Sequence, residues 1–303
     1  MILKRLKHSE LDFEKWDNVI LNSELPLVFA QSFYLNATAP NWEALVINDY
    51  ETVFPLTEKR KYGFTYLPQP PFTSQLGSFG IITEERERLF YDYIVKHYNL
   101  IEIELNQTNH IQSSYRQTKN TFVINYIKGF TYNQNTKRNI AKALNAGLNI
   151  KEVNTEHILK RSQVYLNSFL QSEFKLSVNS IKLFDIVIQN SIQNRYIKTF
   201  SVIDSNGDIR ALAHFLCNGK HALFLKGTNF DRNENSGSMH FLLDYAINYY
   251  KDKAIIFDFG GGSNASGLAG FYKGFGSEQF DYGYLKINSL PRIVKFLKKQ
   301  VSK

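Results

Sequence analysis

Two Asn-Gly pairs, Asn206-Gly207 and Asn218-Gly219, separate three segments with strand character: YIKTFSVID, IRALAHFL and HALFLKGT. Both residues of an Asn-Gly pair tolerate positive φ, the geometry that the tightest hairpins require. Two such turns in quick succession predict a three-stranded antiparallel meander. Downstream come a helical stretch over 237–250, the apolar strand AIIFDF, the glycine-rich loop GGGSNASG, a short helix near 268–274 and the strand FDYGYLKI. A strand–helix–strand crossover after a meander predicts one parallel pairing. The expected fold class is therefore α+β, with mixed sheets flanked by helices.

Upstream, residues 135–146 read as a helix stopped by Gly147 as a C-cap. LNIKEV reads as a strand, and helices are expected at about 156–172 and over 178–193. In the first half, helical spacing runs over Glu10–Leu21 and through ERERLFYDYIVKHY. WEALVI, ETVFPLTEKR, KYGFTYL, LIEIEL and TFVINY read as strands. Between KYGFTYL and the second helix lies LPQPPFTSQLG, residues 67–77, whose three prolines exclude a helix. It is either a rigid wall of a cleft, with Gln75 as a candidate substrate residue, or a plain connector. No internal repeat of solenoid or propeller length is present.

Composition removes several function classes. Of the 303 residues, 43% are hydrophobic and 21% charged, which excludes intrinsic disorder as the main state. The one cysteine, Cys217, excludes an internal disulfide and a multi-thiolate zinc site, so no metal is expected. No run approaches the roughly 18 apolar residues of a membrane span. The start MILKRLKHSELDFEKW lacks an apolar leader segment, so the expected location is cytoplasmic. The net charge of +8 is uneven. Residues 1–130 carry 13 basic and 15 acidic residues, and residues 131–303 carry 23 and 13. A basic half suits an anionic partner. The terminal KINSLPRIVKFLKKQVSK reads equally as a solvated helix.

Several segments together carry a resemblance to a known family. They are FAQSFY, NWEALVINDYETVFPL, the PQPP…QLG loop, NTKRNIAKALNAGLNI and, most specifically, GLAGFYKGFGSEQFDYGYLKI. The chain resembles the GNAT acyltransferase superfamily and, within it, the FemAB-like group with two tandem GNAT-like domains. The resemblance implies a degenerate first domain over 1–130 that helps form the cleft, and a second over 131–303 that carries the site. It also implies an N-acyltransferase that moves an acyl group, such as acetyl from acetyl-CoA or another acyl-CoA, onto the amine of a small or peptide-like acceptor. Two further readings stay open. One is Fem-like aminoacyl transfer from aminoacyl-tRNA to a peptidoglycan precursor; the other is a non-catalytic protein that has kept the fold.

The resemblance also assigns roles. Tyr272 matches the tyrosine that protonates the departing thiolate, and Asn264 the asparagine on the pantetheine arm. Lys273 is placed to offset donor charge. Around the helix start, Gly237 and Leu242 match the family pattern. Glu234 stands where Gln or Arg is usual, and Met239 where Gly or Ala is usual, so coenzyme A binding is in question. Residue chemistry supplies the rest. Asn235, Ser236, Gly237 and Ser238 offer N–H groups to a phosphate, or simply cap the helix. Asp258, at the end of an apolar strand, serves an acceptor amine or caps a loop. His214 is either a base or a satisfied core histidine. Lys137, Arg138 and Lys142 share one helix, with 138 and 142 on one face, as a phosphate site or a solvated surface.

Overall fold

A computed structural model describes the chain except residues 62, 154–162, 165, 169, 172–175, 231–235, 262–265 and 292–303. The chain divides into two compact units, Met1–Lys119 with Asp281–Lys303, and Asn120–Phe280. This differs from a division at residue 130. The chain leaves the first unit within β8 (Arg116–Asn125) and returns within β14 (Glu278–Asn288). The return has a local cause: Tyr284–Asn288 pair antiparallel with β7 (Leu100–Glu104), and Leu285 and Ile287 join its apolar side.

In the first unit, β1 (Leu3–Leu6), β2 (Glu43–Ile47), β3 (Thr52–Leu56) and β6 (Phe79–Gly80) form an antiparallel sheet. β4 (Lys59–Lys61), β5 (Phe64–Pro68), β7 and β14 lie side by side in a second, with β5 and β7 parallel. Helix α3 (Glu84–His97) packs Phe90 and Ile94 into a core with Phe54, Leu56, Ile101 and Ile103. The ETVFPLTEKR segment is two strands, broken after Leu56. Helix α1 spans Phe13–Asn22, starting later than Glu10, because the Asp12 side chain accepts from Lys15 N and caps it there. A short helix α2 covers Ser32–Thr38.

The second unit carries the order β8-β13-β12-β11-β10-β9. Here β9 is Asn149–Glu152, β10 Ile197–Ile203, β11 Ile209–Cys217, β12 His221–Asn229 and β13 Ile256–Asp258. The meander forms as the Asn-Gly pairs require, with Gly207 at φ 85° and Gly219 at φ 87°. β12 and β13 are parallel, as the crossover predicts, but pair only over His221–Leu223 with Ile256–Asp258. β13 ends there, at Asp258, while β12 runs on to Asn229.

One face of this sheet is covered by α4 (Gln134–Asn145), α6 (Ser238–Tyr250) and α7 (Ser266–Gly274), around Phe122, Phe200, Phe215, Leu242, Phe257 and Phe275. The other face meets α5 (Val178–Gln193), whose Phe184 ring lies 6.1 Å from His214. Helix α5 falls where the sequence places it. The helix expected at 156–172 and the basic tail lie largely or wholly outside the described residues.

Glycines fix how α4 meets its neighbours. Gly237, at φ 81°, N-caps α6, and a Cβ there would run into the Asn139 carbonyl of α4. At Gly276 (φ 74°) a Cβ would lie 2.7 Å from Thr131 backbone atoms. Gly237→Ala adds overpacking to left-handed strain and should cost about 2–4 kcal/mol. Gly129→Ala, also at positive φ (77°) but with nothing within 4 Å, should cost only about 1–2 kcal/mol. Urea midpoints of the two variants check the difference.

Candidate functional site

The end of β13 is the chemical focus of the second unit. Asp258 is 1% exposed. Burying a carboxylate is costly unless donors meet it. Its Oδ1 accepts from Thr121 Oγ1 at 2.7 Å and from Gly260 N at 2.8 Å, and its Oδ2 lies 3.2 Å from His221 Nε2. Thr121 Oγ1 in turn accepts from Gly261 N at 3.0 Å. The cluster joins β8, β12, β13 and the first turn of the glycine loop. Gly260 (φ 86°) lies against Phe224 O, where a Cβ would stand at 2.8 Å. Asp258 is thus the loop cap of the two readings, and both its oxygens are engaged.

Tyr272, on α7, is 5% exposed and stacks on Phe259 at 4.6 Å, with Phe122 at 6.1 Å. It is a core aromatic whose hydroxyl also lies within the field of Asp258. Burial first, and that charge second, push the phenol well above its ordinary range. It therefore keeps its proton. Lys273 is exposed, with its Nζ 5.6 Å from the Phe122 ring centroid.

At the α6 N-terminus the described residues pack closely. Ser238 is fully buried, and its N–H is 3.3 Å from Ser236 Oγ. The Asn139 carbonyl of α4 stands against Gly237. Asn235, Asn264 and Glu234 lie outside the described residues. Met239 packs at the edge of the apolar cluster, which accounts for a large residue at that position.

His214 is fully buried, with Nδ1 2.7 Å from Thr199 Oγ1 and Nε2 2.8 Å from Gln163 Oε1. Gln163 passes the chain on to Asp185 at 3.0 Å. Burial lowers His214 to about 3, and both ring nitrogens are engaged, so the expectation of a free base is corrected to a satisfied core histidine. On α4, Arg138 and Lys142 line one shallow groove with Asn145, as their four-residue spacing predicts. Lys137 is exposed but does not line that groove. Gln75 belongs to the first unit, 2% exposed, with its buried Oε1 unpartnered among the described residues. No group of His, Cys, Asp or Glu suited to a metal occurs among the described residues, and no described helix is long and apolar enough to cross a membrane.

Sequence reasoning missed three residues. Thr121 has no motif around it, and His221 stands alone at the start of its strand. His240, in the first turn of α6, packs edge-on to Phe271 at 4.8 Å and is lowered by burial. Its place beside the Gly-Ser helix start was the available signal.

The pH dependence follows from His214. Unfolded, it takes up a proton near 6.5; folded, only near 3. Stability is full above the unfolded value and is lost as pH falls below it, at up to roughly 1.4 kcal/mol per pH unit. His240, lowered in the same sense, adds to the loss. His214→Gln should flatten this slope between about pH 6.5 and 5, above the main carboxylate range. Urea midpoints across that window measure it.

No family model matches this sequence, and no curated protein matches it. Solved structures do. FemX superposes with a TM-score of 0.70 at 12% identity, covering 98% of this chain and 99% of that one. The DUF2156 domain from Agrobacterium fabrum gives 0.60 at 10% identity, with 96% of each chain covered. L-PGS from Bacillus licheniformis gives 0.55 at 11% identity, covering 87% of this chain and 90% of that one. The α+β fold expected from the order of elements is the fold of this chain, and these solved structures share it.

Proposed function

We propose that this protein is an N-acyltransferase that moves an acyl group from an ester-linked donor, such as an aminoacyl-tRNA, onto the amine of an acceptor. The end of β13 beside the longer β12 supports acyl transfer, because an extended acyl chain can lie along β12 past that end, on the side of the Asp258 cluster. The choice of donor rests on the Asn139 carbonyl against Gly237. A coenzyme A pyrophosphate would need the α6 N–H groups, and a carbonyl oxygen beside the N-cap Gly237 adds partial negative charge at that end of the helix.

The chemistry of Tyr272 agrees with that choice. The amine attacks the acyl carbonyl, the C–N bond forms, and the C–O bond to the donor breaks. The departing alkoxide must gain a proton. A phenol held above its ordinary range is a poor acid toward a thiolate but a suitable one toward the far more basic alkoxide. The Arg138–Lys142 groove supports contact with donor phosphate. Lys273, exposed on α7 beside Tyr272, is available to the same donor. In this reading Asp258 positions the glycine loop rather than taking a proton, and acetyl-CoA is the secondary donor.

Turnover with aminoacyl-tRNA and a peptide-like amine, followed by mass spectrometry of the acceptor, tests the proposal. Tyr272→Phe should lower kcat about tenfold or more with the fold intact. Equal rates would remove Tyr272 as the acid. Neutralising Arg138 and Lys142 should weaken tRNA binding and shallow its salt dependence, read by filter binding across ionic strength.

A further inference from the structure

One end of the second unit, the end that carries the β11–β12 turn, exposes apolar side chains among cations. Ile127 is 81% exposed, and no other large apolar side chain among the described residues is as exposed. A turn holds it there. Asn125 Oδ1 accepts from Ile127 N at 3.0 Å and from Lys128 N at 3.4 Å, and Gly129 follows at φ 77°. An asparagine that braces the turn in this way makes a built projection. Ile255, 42% exposed, lies opposite Tyr126, whose N–H donates to the Ile255 carbonyl at 3.0 Å. The two isoleucines therefore stand one register position apart at the end of the β8–β13 pair.

Cations surround them. Ile255 N donates to Lys220 O at 2.7 Å, and Lys128 follows Ile127 directly. Lys251 and Lys253 lie between α6 and Ile255, with Lys253 Nζ over the Tyr249 ring, 3.1 Å from its centroid. Arg195 ends the turn before β10, and the next residue, Tyr196, accepts through its carbonyl from Cys217 N at the foot of the β11–β12 turn. The carboxylates here are Asp252 and Glu278, the latter 3.5 Å from Lys128 Nζ. Lys198, further along β10, is met by Glu152 and adds no net charge. Five cations thus share this end with two carboxylates.

The combination selects a partner chemistry. Apolar side chains enter the boundary between lipid headgroups and acyl chains, while lysines beside them meet lipid phosphates. A nucleic acid offers phosphates but no apolar layer for Ile127. A stable protein interface buries about 800 Å² a side around aromatic anchors, whereas this end exposes isoleucine and lysine. We propose that this end of the second unit docks on an anionic lipid surface, with Ile127 and Ile255 at the headgroup–acyl boundary and the lysines on lipid phosphate. The start of α6 lies at the other end of β12 and stays clear of the lipid. The proposal does not depend on the acyl-transfer reading.

Sedimentation of the intact protein with vesicles tests it, using phosphatidylcholine alone and phosphatidylcholine with about 30% phosphatidylglycerol at about 0.1 M salt. Partitioning onto the anionic vesicles should be at least about tenfold stronger and should fall as salt is raised. Ile127→Ser should lower it about fivefold or more and leave its salt dependence as it is. Lys251→Gln combined with Lys253→Gln should lower it about tenfold or more and flatten the salt dependence. Lys59→Gln combined with Lys61→Gln, at two exposed lysines of β4 in the first unit, should leave it unchanged. Circular-dichroism melts verify that these surface variants fold. Equal partitioning onto both vesicle types, or none at millimolar lipid, overturns the proposal. So does anionic partitioning that survives in full in the Ile127 and the lysine variants. A concentration-dependent dimer lost in Ile127→Ser, without vesicle binding, would assign the patch to a second copy of the chain and overturn it. Transfer RNA binding lost in the Lys251 and Lys253 variant, without vesicle binding, would overturn it in favour of nucleic acid.

Discussion

The second unit depends on how one buried carboxylate is satisfied. Asp258 closes β13 with almost no solvent contact, so its charge must be met by the protein. Thr121, the Gly260 amide and His221 meet it from a neighbouring strand on each side and from the loop ahead. Because β13 ends at Asp258 while β12 runs on, this cluster sits where their pairing stops. It therefore sets the direction of the glycine loop. Both carboxylate oxygens are committed to these contacts, and Tyr272 is the neighbouring group that carries a proton.

A second constraint acts through small residues. Gly237, Gly274 and Gly276 let α4 and the segment before it approach α6 and α7 at backbone distance; a Cβ at Gly274 would meet Thr136 Oγ1 at 2.5 Å. The same contacts that complete the packing place a carbonyl at the start of α6. The close approach of α4 thus fixes both the packing of the layer and the polar surroundings of that helix end, on which the proposed choice of donor rests.

Local chemistry made much of the fold legible. The Asn-Gly turns gave the meander, Gly147 ended α4, and the apolar spacing of 178–193 gave α5 at its observed bounds. The division between units was not legible, because the strand FDYGYLKI carries no sign that its second part belongs with β7. Within the site, Tyr272 and Asp258 were visible as residues out of keeping with their surroundings. Which reading of each held depended on partners far away in sequence: Thr121 is 137 residues from Asp258, and Gln163 is 51 from His214. The bulge at Leu225, where His214 pairs with Lys226 but Phe215 with Phe224, was invisible for a similar reason. FLKGTN is compatible with regular alternation, and only pairing with β11 shows the extra residue.

The claim that the donor is an ester-linked acyl group and not a coenzyme A thioester is tested most directly by calorimetry with each donor in turn. The Asn139 carbonyl at the N-cap of α6 predicts no measurable heat with acetyl-CoA up to about millimolar concentration. It predicts salt-sensitive binding of an aminoacylated tRNA acceptor-stem minihelix. Micromolar binding of acetyl-CoA, with no response to the charged minihelix, would contradict the account.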